Sequence, residues 1–324
     1  MIKKYISGVL IAATVILLSG CNVIFDDIEE CESTHNIRFV YDMNMSGGDG
    51  FGSQVKSVSL WVFEHSSGKF IKRFDDAGEA LSKPGYLLSL PGLDPGTYDL
   101  IAWGGLGESS SFSVPSAISE INDLNCTLHT VDIKGVTSSN TLLSPLFYGS
   151  LHSLTISDDG KDHTYTIYLM KDTNNINISL QHSSDEILNA GDFTIFMDDA
   201  NGFLSSENRL LPSGDIQYLP WSVKSGTIDM AGENLNFIQS EISTSRLMAD
   251  RNPVIKIIDK AAGTIVYSIP IVEWAKKLRS LQNLSIGDQE YLDREHEYTI
   301  MLYLVSEPEG WKAASIVING YELE

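Results

Sequence analysis

Apolar and polar residues alternate along most of this chain with a period of two. Ile37, Phe39 and Tyr41 alternate with Arg38 and Asp42, and Val58, Leu60 and Val62 share one face of the run 55–63. The same alternation recurs over 164–169, 177–180, 193–196, 236–238 and 298–304. Successive side chains of an extended strand point to opposite faces, so these short runs, bounded by Gly, Asn, Asp and Ser, predict antiparallel sheets with one buried face. Helical spacing is confined to 116–124 and to 272–278, the latter following Pro270. The expected class is all-β, with sandwiches burying the apolar faces.

One strand–turn–strand segment, 86–103, carries more detail. Asp94, Pro95, Gly96 and Tyr98 form its expected structural turn: Pro95 fixes φ, and Gly96 is expected to supply a positive φ. The strand that follows places Tyr98, Leu100 and Ala102 on one face.

The first residues break the pattern. Lys3 and Lys4 precede a mostly apolar stretch, 6–18, which ends in Leu18-Ser19-Gly20-Cys21. The stretch is short for a membrane-spanning helix and stands where signal peptides stand. Its end resembles a bacterial lipobox, which makes 1–20 a lipoprotein signal peptide and Cys21 the lipidation site and first mature residue. Two or three acyl chains, palmitate among them, would then hold the chain in a bilayer, since each buried methylene contributes roughly 0.8 kcal/mol. Asn22 rather than Asp follows the Cys, and Asp26, Asp27, Glu29 and Glu30 make an acidic tether over 21–34. The expected location is the outer membrane, lipid-anchored and surface-exposed.

A polar break near 169–174 divides the remainder into an N-terminal β-sandwich, 35–170, and a C-terminal one, 171–324, each of ordinary domain size. The formal net charge is −21, and removal of the leader with its two Lys takes it to −23. Such a surface disfavours nucleic acid and anionic lipid as partners. With Cys21 acylated, Cys31 and Cys126 are left in an oxidising compartment, either paired as a disulfide or as two buried thiols.

None of the seven His belongs to an H-E-x-x-H or a close ligand pair, and no G-x-S-x-G elbow occurs. Residues 42–47 match half of a calcium loop, but Ser53 stands where a bidentate Glu is required, so a plain turn is expected. Gly48–Gly52 opens no βαβ unit and reads as a loop. The adjacent pairs Asp158-Asp159 and Asp198-Asp199 read as turn residues. The sequence therefore predicts no enzyme, no metal and no cofactor.

Taken in order, the lipobox, Cys31, the strand 38–45, the strand 54–63, the segment 93–105 and Lys171-Asp172-Thr173-Asn174 resemble the fimbrial anchor subunits of Bacteroidales, the minor-fimbrium anchoring lipoprotein family. The L-x-P-G-x-Y-x-L segment is also similar to an edge of transthyretin-like sandwiches. The resemblance implies two tandem transthyretin-like β-sandwich domains after the signal peptide. It also implies a role at the base of a fimbrium (pilus), in cell adhesion, with fimbrial shaft or accessory subunits as partners. Such subunits join by β-strand exchange, in which main-chain hydrogen bonds supply affinity and alternate side-chain pockets supply specificity. Ile316, Val317, Ile318 and Tyr321 form a candidate exchange segment, or simply the last strand of the second domain. Shaft subunits of such systems are trimmed at a basic residue; Arg38 lies within a strand, so no trimming is expected. The alternative function is a surface lipoprotein that binds glycan or a host ligand through sandwich loops, using Trp103 or Trp221.

Overall fold

The computed structural model describes residues 33–183, 188–230 and 233–323; Cys21, Cys31 and the acidic residues 26–30 lie outside the described residues. The alternating runs form strands. In the first part of the chain these are β1 (Thr34–Met43), β2 (Ser57–Glu64), β3 (Phe70–Ala77), β4 (Leu88–Ser89), β5 (Gly96–Gly104), β6 (Phe112–Ser113), β7 (Cys126–Leu128), β8 (Val131–Ile133), β9 (Val136–Ser139), β10 (Phe147–Ile156) and β11 (Asp162–Lys171). There follow β12 (Thr173–Ser183), β13 (Phe193–Asp199), β14 (Phe203–Leu204), β15 (Ile216–Tyr218), β16 (Ser222–Met230), β17 (Glu233–Ser245), β18 (Val254–Asp259), β19 (Thr264–Pro270), β20 (Glu297–Glu307), β21 (Gly310–Ile318) and β22 (Tyr321–Leu323). Three helices interrupt them: α1 (Phe51–Gln54), α2 (Ile271–Leu281) and α3 (Asp288–Arg294).

Among the described residues the protein is all-β and multi-sheet. The first sheet has the order β3-β2-β5-β10-β11-β1-β4 and the second β16-β17-β12-β20-β21-β22. A third runs β19-β18-β13-β15-β9-β8, and a small fourth runs β14-β7-β6. Most neighbours are antiparallel, as the alternation suggests. Three pairs are parallel: β1 with β11, β12 with β20, and β15 with β9. Each of these joins strands far apart in the chain, so no tight turn imposes the antiparallel direction.

The first sheet is covered on both faces. Val58, Leu60, Val62, Leu100 and Ala102 pack with Ile37, Phe39 and Tyr41 in one core. The opposite face carries Trp61, Phe63, Ile101 and Trp103, all at most 1% exposed, beneath the segment that holds Phe112, Cys126, Leu128 and Leu146. Two-faced burial is why β2 and β5 read as nearly continuous apolar runs. Each fully buried large side chain contributes about 1.5–3 kcal/mol. That second core continues through Leu128 and Leu204 to Met197, Tyr218 and Ile255 between the second and third sheets.

The segment 112–139 therefore bridges the chain's two halves. β7 pairs with β14, and β9 pairs with β15. The helix expected over 116–124 is not formed; only Ile121–Asp123 makes a short 3₁₀ turn. Phe70 N donates to Ser119 O and Lys69 bridges Glu120, so this stretch lies extended along the edge of β3. The second helical signal is real and longer than its motif. Ile271, Val272, Trp274, Ala275 and Leu278 bury one face of α2, and Asn283 beyond its end takes φ 53°.

Candidate functional site

In the turn before β5 the left-handed residue is Gly92, with φ 70°, and not Gly96. The tight turn lies at Pro91-Gly92, and the chain bends once more at Pro95 before Gly96 begins β5. Gly96 serves by lacking a side chain: a Cβ there would lie 3.2 Å from the Tyr98 hydroxyl. Tyr98 in turn donates to Asp94 O at 2.9 Å, closing the turn across Pro95. Tyr98→Phe should cost about 1 kcal/mol, the net worth of one hydrogen bond, read as a lower midpoint in urea unfolding.

The polar break at 171–174 is buried. Asp172 is 0% exposed and Asn174 2%. Arg246, from the end of β17, meets Asp293 of α3 through two parallel bonds, Nε to Oδ1 at 3.0 Å and Nη2 to Oδ2 at 2.9 Å. Its Nε lies 3.7 Å from Asp172 Oδ1, which also accepts from Asn208 Nδ2 at 2.9 Å. Gln289 Nε2 donates to Asp293 Oδ1 at 2.9 Å. Burial pushes the Asp172 carboxyl up to about 7, against the opposing pull of Arg246 and Asn208. The first half joins directly: Asp172 N donates to Leu146 O, Tyr148 Oη to Ser206 O at 3.0 Å, and Arg294 Nη1 to Asp42 O at 3.2 Å. His296 nearby is held down to about 3 by burial and by the Lys171 charge, so it is neutral. One guanidinium between two buried carboxylates is a fixed joint, since removing the guanidinium or Asp293 strands a buried charge.

A second cluster links three strands of the first sheet. His65 Nδ1 lies 2.9 Å from Asp99 Oδ1, and His65 Nε2 lies 3.2 Å from Ser153 Oγ. The connectivity is that of a nucleophile, base and acid. The Asp99 carboxylate, however, also accepts from Ser153 N at 2.9 Å and faces His152 Nδ1 at 3.3 Å. Burial raises the Asp99 carboxyl, but the bonds from Ser153 and His65 and the two His charges outweigh it and hold the group low. Ser153 has φ 54° and sits where the register of β10 against β5 shifts between Leu151 and Leu154. The carboxylate thus holds a β-bulge.

Most of the candidate exchange segment is paired on both sides. Ile316, Val317 and Ile318 of β21 lie between β20 and β22, with Ile316 2% and Ile318 0% exposed, while Tyr321 pairs with Ile318 at the sheet edge. In the first sheet, β4 covers β1 only at Asn36 and Ile37. Beside the uncovered part of β1 lies a groove of about 440 Å³, lined by Arg38, Phe39, Phe51, Leu81, Tyr86 and Leu87. Phe39, Phe51 and Tyr86 form a stacked row along it, with centroids 5.6 and 5.8 Å apart.

Cys126 is fully buried without a disulfide partner among the described residues, and burial, with the Asp172 charge, raises its thiol pKa. Trp103 is 0% exposed and reaches no ligand from solvent, contrary to the loop-binding expectation; Trp221 is 37% exposed. No group of three or more metal-ligating side chains occurs among the described residues, and no described helix is long and apolar enough to cross a membrane. The Arg246–Asp293 pair was missed in the sequence because neither residue belongs to a motif; only Asp172 was marked, as part of the polar break.

Comparison with known proteins places these features in context. A family model described as the fimbrillin-A associated anchor proteins Mfa1 and Mfa2 matches residues 28–324. A Bacteroides thetaiotaomicron VPI-5482 protein of solved structure, provisionally described as an adhesin, is 28% identical, with 92% of this chain and 99% of that one covered and a TM-score of 0.80. Another from the same organism, provisionally described as polysaccharide-binding, is 27% identical, with 90% and 98% covered and a TM-score of 0.76. The fimbrial anchor protein Mfa2 of Porphyromonas gingivalis shares the fold at 14% identity, with 91% and 99% covered and a TM-score of 0.63. No curated protein matches.

Proposed function

The chain belongs to the fimbrillin-A associated anchor family, and from that premise we propose that it holds a fimbria at its base in the outer membrane. A member of this family is a non-enzymatic fimbrial or adhesin-type protein of the outer surface. Cys21 carries the lipid in this reading, and fimbrial shaft or accessory subunits are the partners, joined by strand exchange.

The observation that carries the reading is the family match over nearly the whole mature chain, 28–324. Geometry supports it. Thr34, the first residue of β1, follows Cys21 by thirteen residues, a covalent reach of at most about 45 Å. The opposite end of β1 meets α3 of the second half through Asp42 and Arg294. The chain from Cys21 enters β1 at the end away from this contact, which supports a reading in which the second half faces incoming subunits. The halves also echo each other: β1 lies parallel to β11, and β12 parallel to β20. This echo supports two tandem transthyretin-like units, 35–170 and 171–324, with the strands of 126–139 lent to the second. With β21 locked between β20 and β22, the proposed point of exchange is a sheet edge, such as the groove beside β1, that accepts a partner's strand.

The test is a pull-down of the tagged, full-length, membrane-extracted protein from cells that express a fimbrial shaft subunit, run boiled and unboiled. A ladder stable in detergent and lost on boiling is expected. A lone monomer in both lanes would refute the anchor reading.

A further inference from the structure

Edge strands decide what a sheet can pair with, because each presents a row of unbonded N–H and C=O groups. Among the described residues the four sheets end in β3 and β4, β16 and β22, β19 and β8, and β14 and β6. Most of these edges are blunted. β4, β6 and β14 have two residues, and β8 and β22 have three. β3 carries Lys72, Arg73, Asp75 and Asp76, and its Phe70 N already donates to Ser119 O. β19 meets β18 with a shift of register and ends at Pro270.

β16 has none of these defences. Its nine residues contain no Pro, and its register with β17 runs unbroken from Ser222 with Glu241 to Asp229 with Asn234. No strand pairs with its other side among the described residues. Val223 and Ile228 are 49% and 50% exposed, and Trp221, just ahead of the strand, is 37% exposed. The groove beside β1 leaves far less backbone open. There Leu90 N donates to His35 O, β4 covers Asn36 and Ile37, and the Asp49-Gly50 turn bonds both the N–H and the C=O of Tyr41. Little beyond Phe39 remains.

Beneath β16 lies a groove of about 220 Å³ lined by Phe193, Ile195, Pro220, Val223 and Ile238. Val223 pairs with Ser240 and Ser225 with Ile238, both partners buried, so this face of β16 turns toward the groove. Lys260 also lines it, with its ammonium donating to Gly191 O at 2.7 Å. Lys224 lies on the opposite face, where it meets Glu241 at 3.9 Å, and Asp229 is six residues along from Val223, about 20 Å. A strand added to β16 would therefore set every second side chain over apolar lining. A second copy of this chain lacks such side chains. In a two-fold antiparallel pairing of more than a few residues, Val223 would face Ser225, Thr227 or Asp229 of the other copy.

Resting on the strand-exchange reading above, we propose that β16 is the acceptor edge and that its occupant is an extended strand of a fimbrial subunit with apolar residues at alternate positions. Main-chain bonds to β16 supply the affinity, and the groove selects the apolar positions.

The test repeats the pull-down with the full-length double variant Val223→Lys and Ser225→Lys, since inward-pointing charges are what natural edges use to refuse a strand. Both positions are exposed, so the variant should keep the wild-type urea midpoint. Wild type should show the ladder, and the variant at least tenfold less shaft subunit. A benzophenone cross-linker at exposed Ile228 should capture the shaft subunit and one at Leu87, beside β1, should not, which keeps the test valid where the double variant misfolds. An undiminished ladder in the folded variant, or capture at Leu87 and not at Ile228, would overturn the β16 assignment and leave the anchor reading standing. A wild-type ladder made of this chain alone would mean self-pairing and overturn the occupant. No ladder in wild type would refute the anchor reading itself, and this inference with it.

Discussion

Arg246→Met should destabilise the protein by about 3–5 kcal/mol at neutral pH, because it leaves two buried carboxylates without their shared cation. Arg246 is 9% exposed, Asp293 6% and Asp172 0%, so water cannot replace the guanidinium. The cost should be largely recovered when Asp172→Asn and Asp293→Asn are added, since an uncharged joint of similar shape strands nothing. Urea unfolding followed by the fluorescence of buried Trp61 and Trp103 reads the effect. A loss below 1 kcal/mol would mean that the joint contributes little to stability.

The same joint sets a pH dependence. The Asp172 carboxyl is raised to about 7 in the folded protein, above its ordinary value of 3.8. Between those two values the folded state binds a proton that the unfolded state has released. This group therefore makes stability fall as pH rises from about 4 to about 7 and adds no further change above that. Asp172→Asn should flatten that part of the profile. A profile with the same slope in wild type and variant would place the titration elsewhere.

Gly105→Ala is the other large effect expected. Gly105 has φ 88°, and a Cβ there would stand 2.0 Å from Pro145 O, a backbone atom that cannot swing aside. Left-handed strain and overpacking add together here, so a loss of about 4 kcal/mol or more is expected, with little folded protein recovered. Its neighbours grade the effect. At Gly104 a Cβ would meet Val55 at 3.1 Å and Phe147 at 3.2 Å, which should cost less; at Gly107 it would meet nothing within 4 Å, and Gly107→Ala should be close to neutral. Soluble yield and urea midpoints for the three variants test the ranking.

Strands were legible in this sequence wherever one face meets a core and the other does not. Residues 37–41, 193–196 and 298–304 all lie in strands where their alternation puts them. The strands of two to four residues, β6 to β9, were not legible, because β7 and β9, on which β6 and β8 pair, are themselves held by β14 and β15, far along the chain. Trp103 misled for a related reason. Its face is opposite that of Tyr98 and Leu100, and nothing local announces that the segment 112–146 covers it. Strand direction was equally hidden, since the parallel neighbours of β1 and β12 are chosen by packing and not by a turn. At the joint, Asp172 stood out as a polar interruption, but Arg246 and Asp293, 74 and 121 residues further on, carry no signature that connects them. The glycine positions show the same limit. The sequence marks Gly104 and Gly105 alike, and only Pro145 O distinguishes them.

The parallel register of β1 against β11 also determines how this molecule carries mechanical load. Partners run unbroken from Thr34 with Asp162 to Val40 with Tyr168. With the lipid at Cys21, as proposed, a tug from the membrane would enter β1 at its first residue, whereas β11 passes at its last residue into the second half. The two strands are thus pulled from opposite ends along their length. Their hydrogen bonds resist together, in shear, instead of opening one after another like a zip.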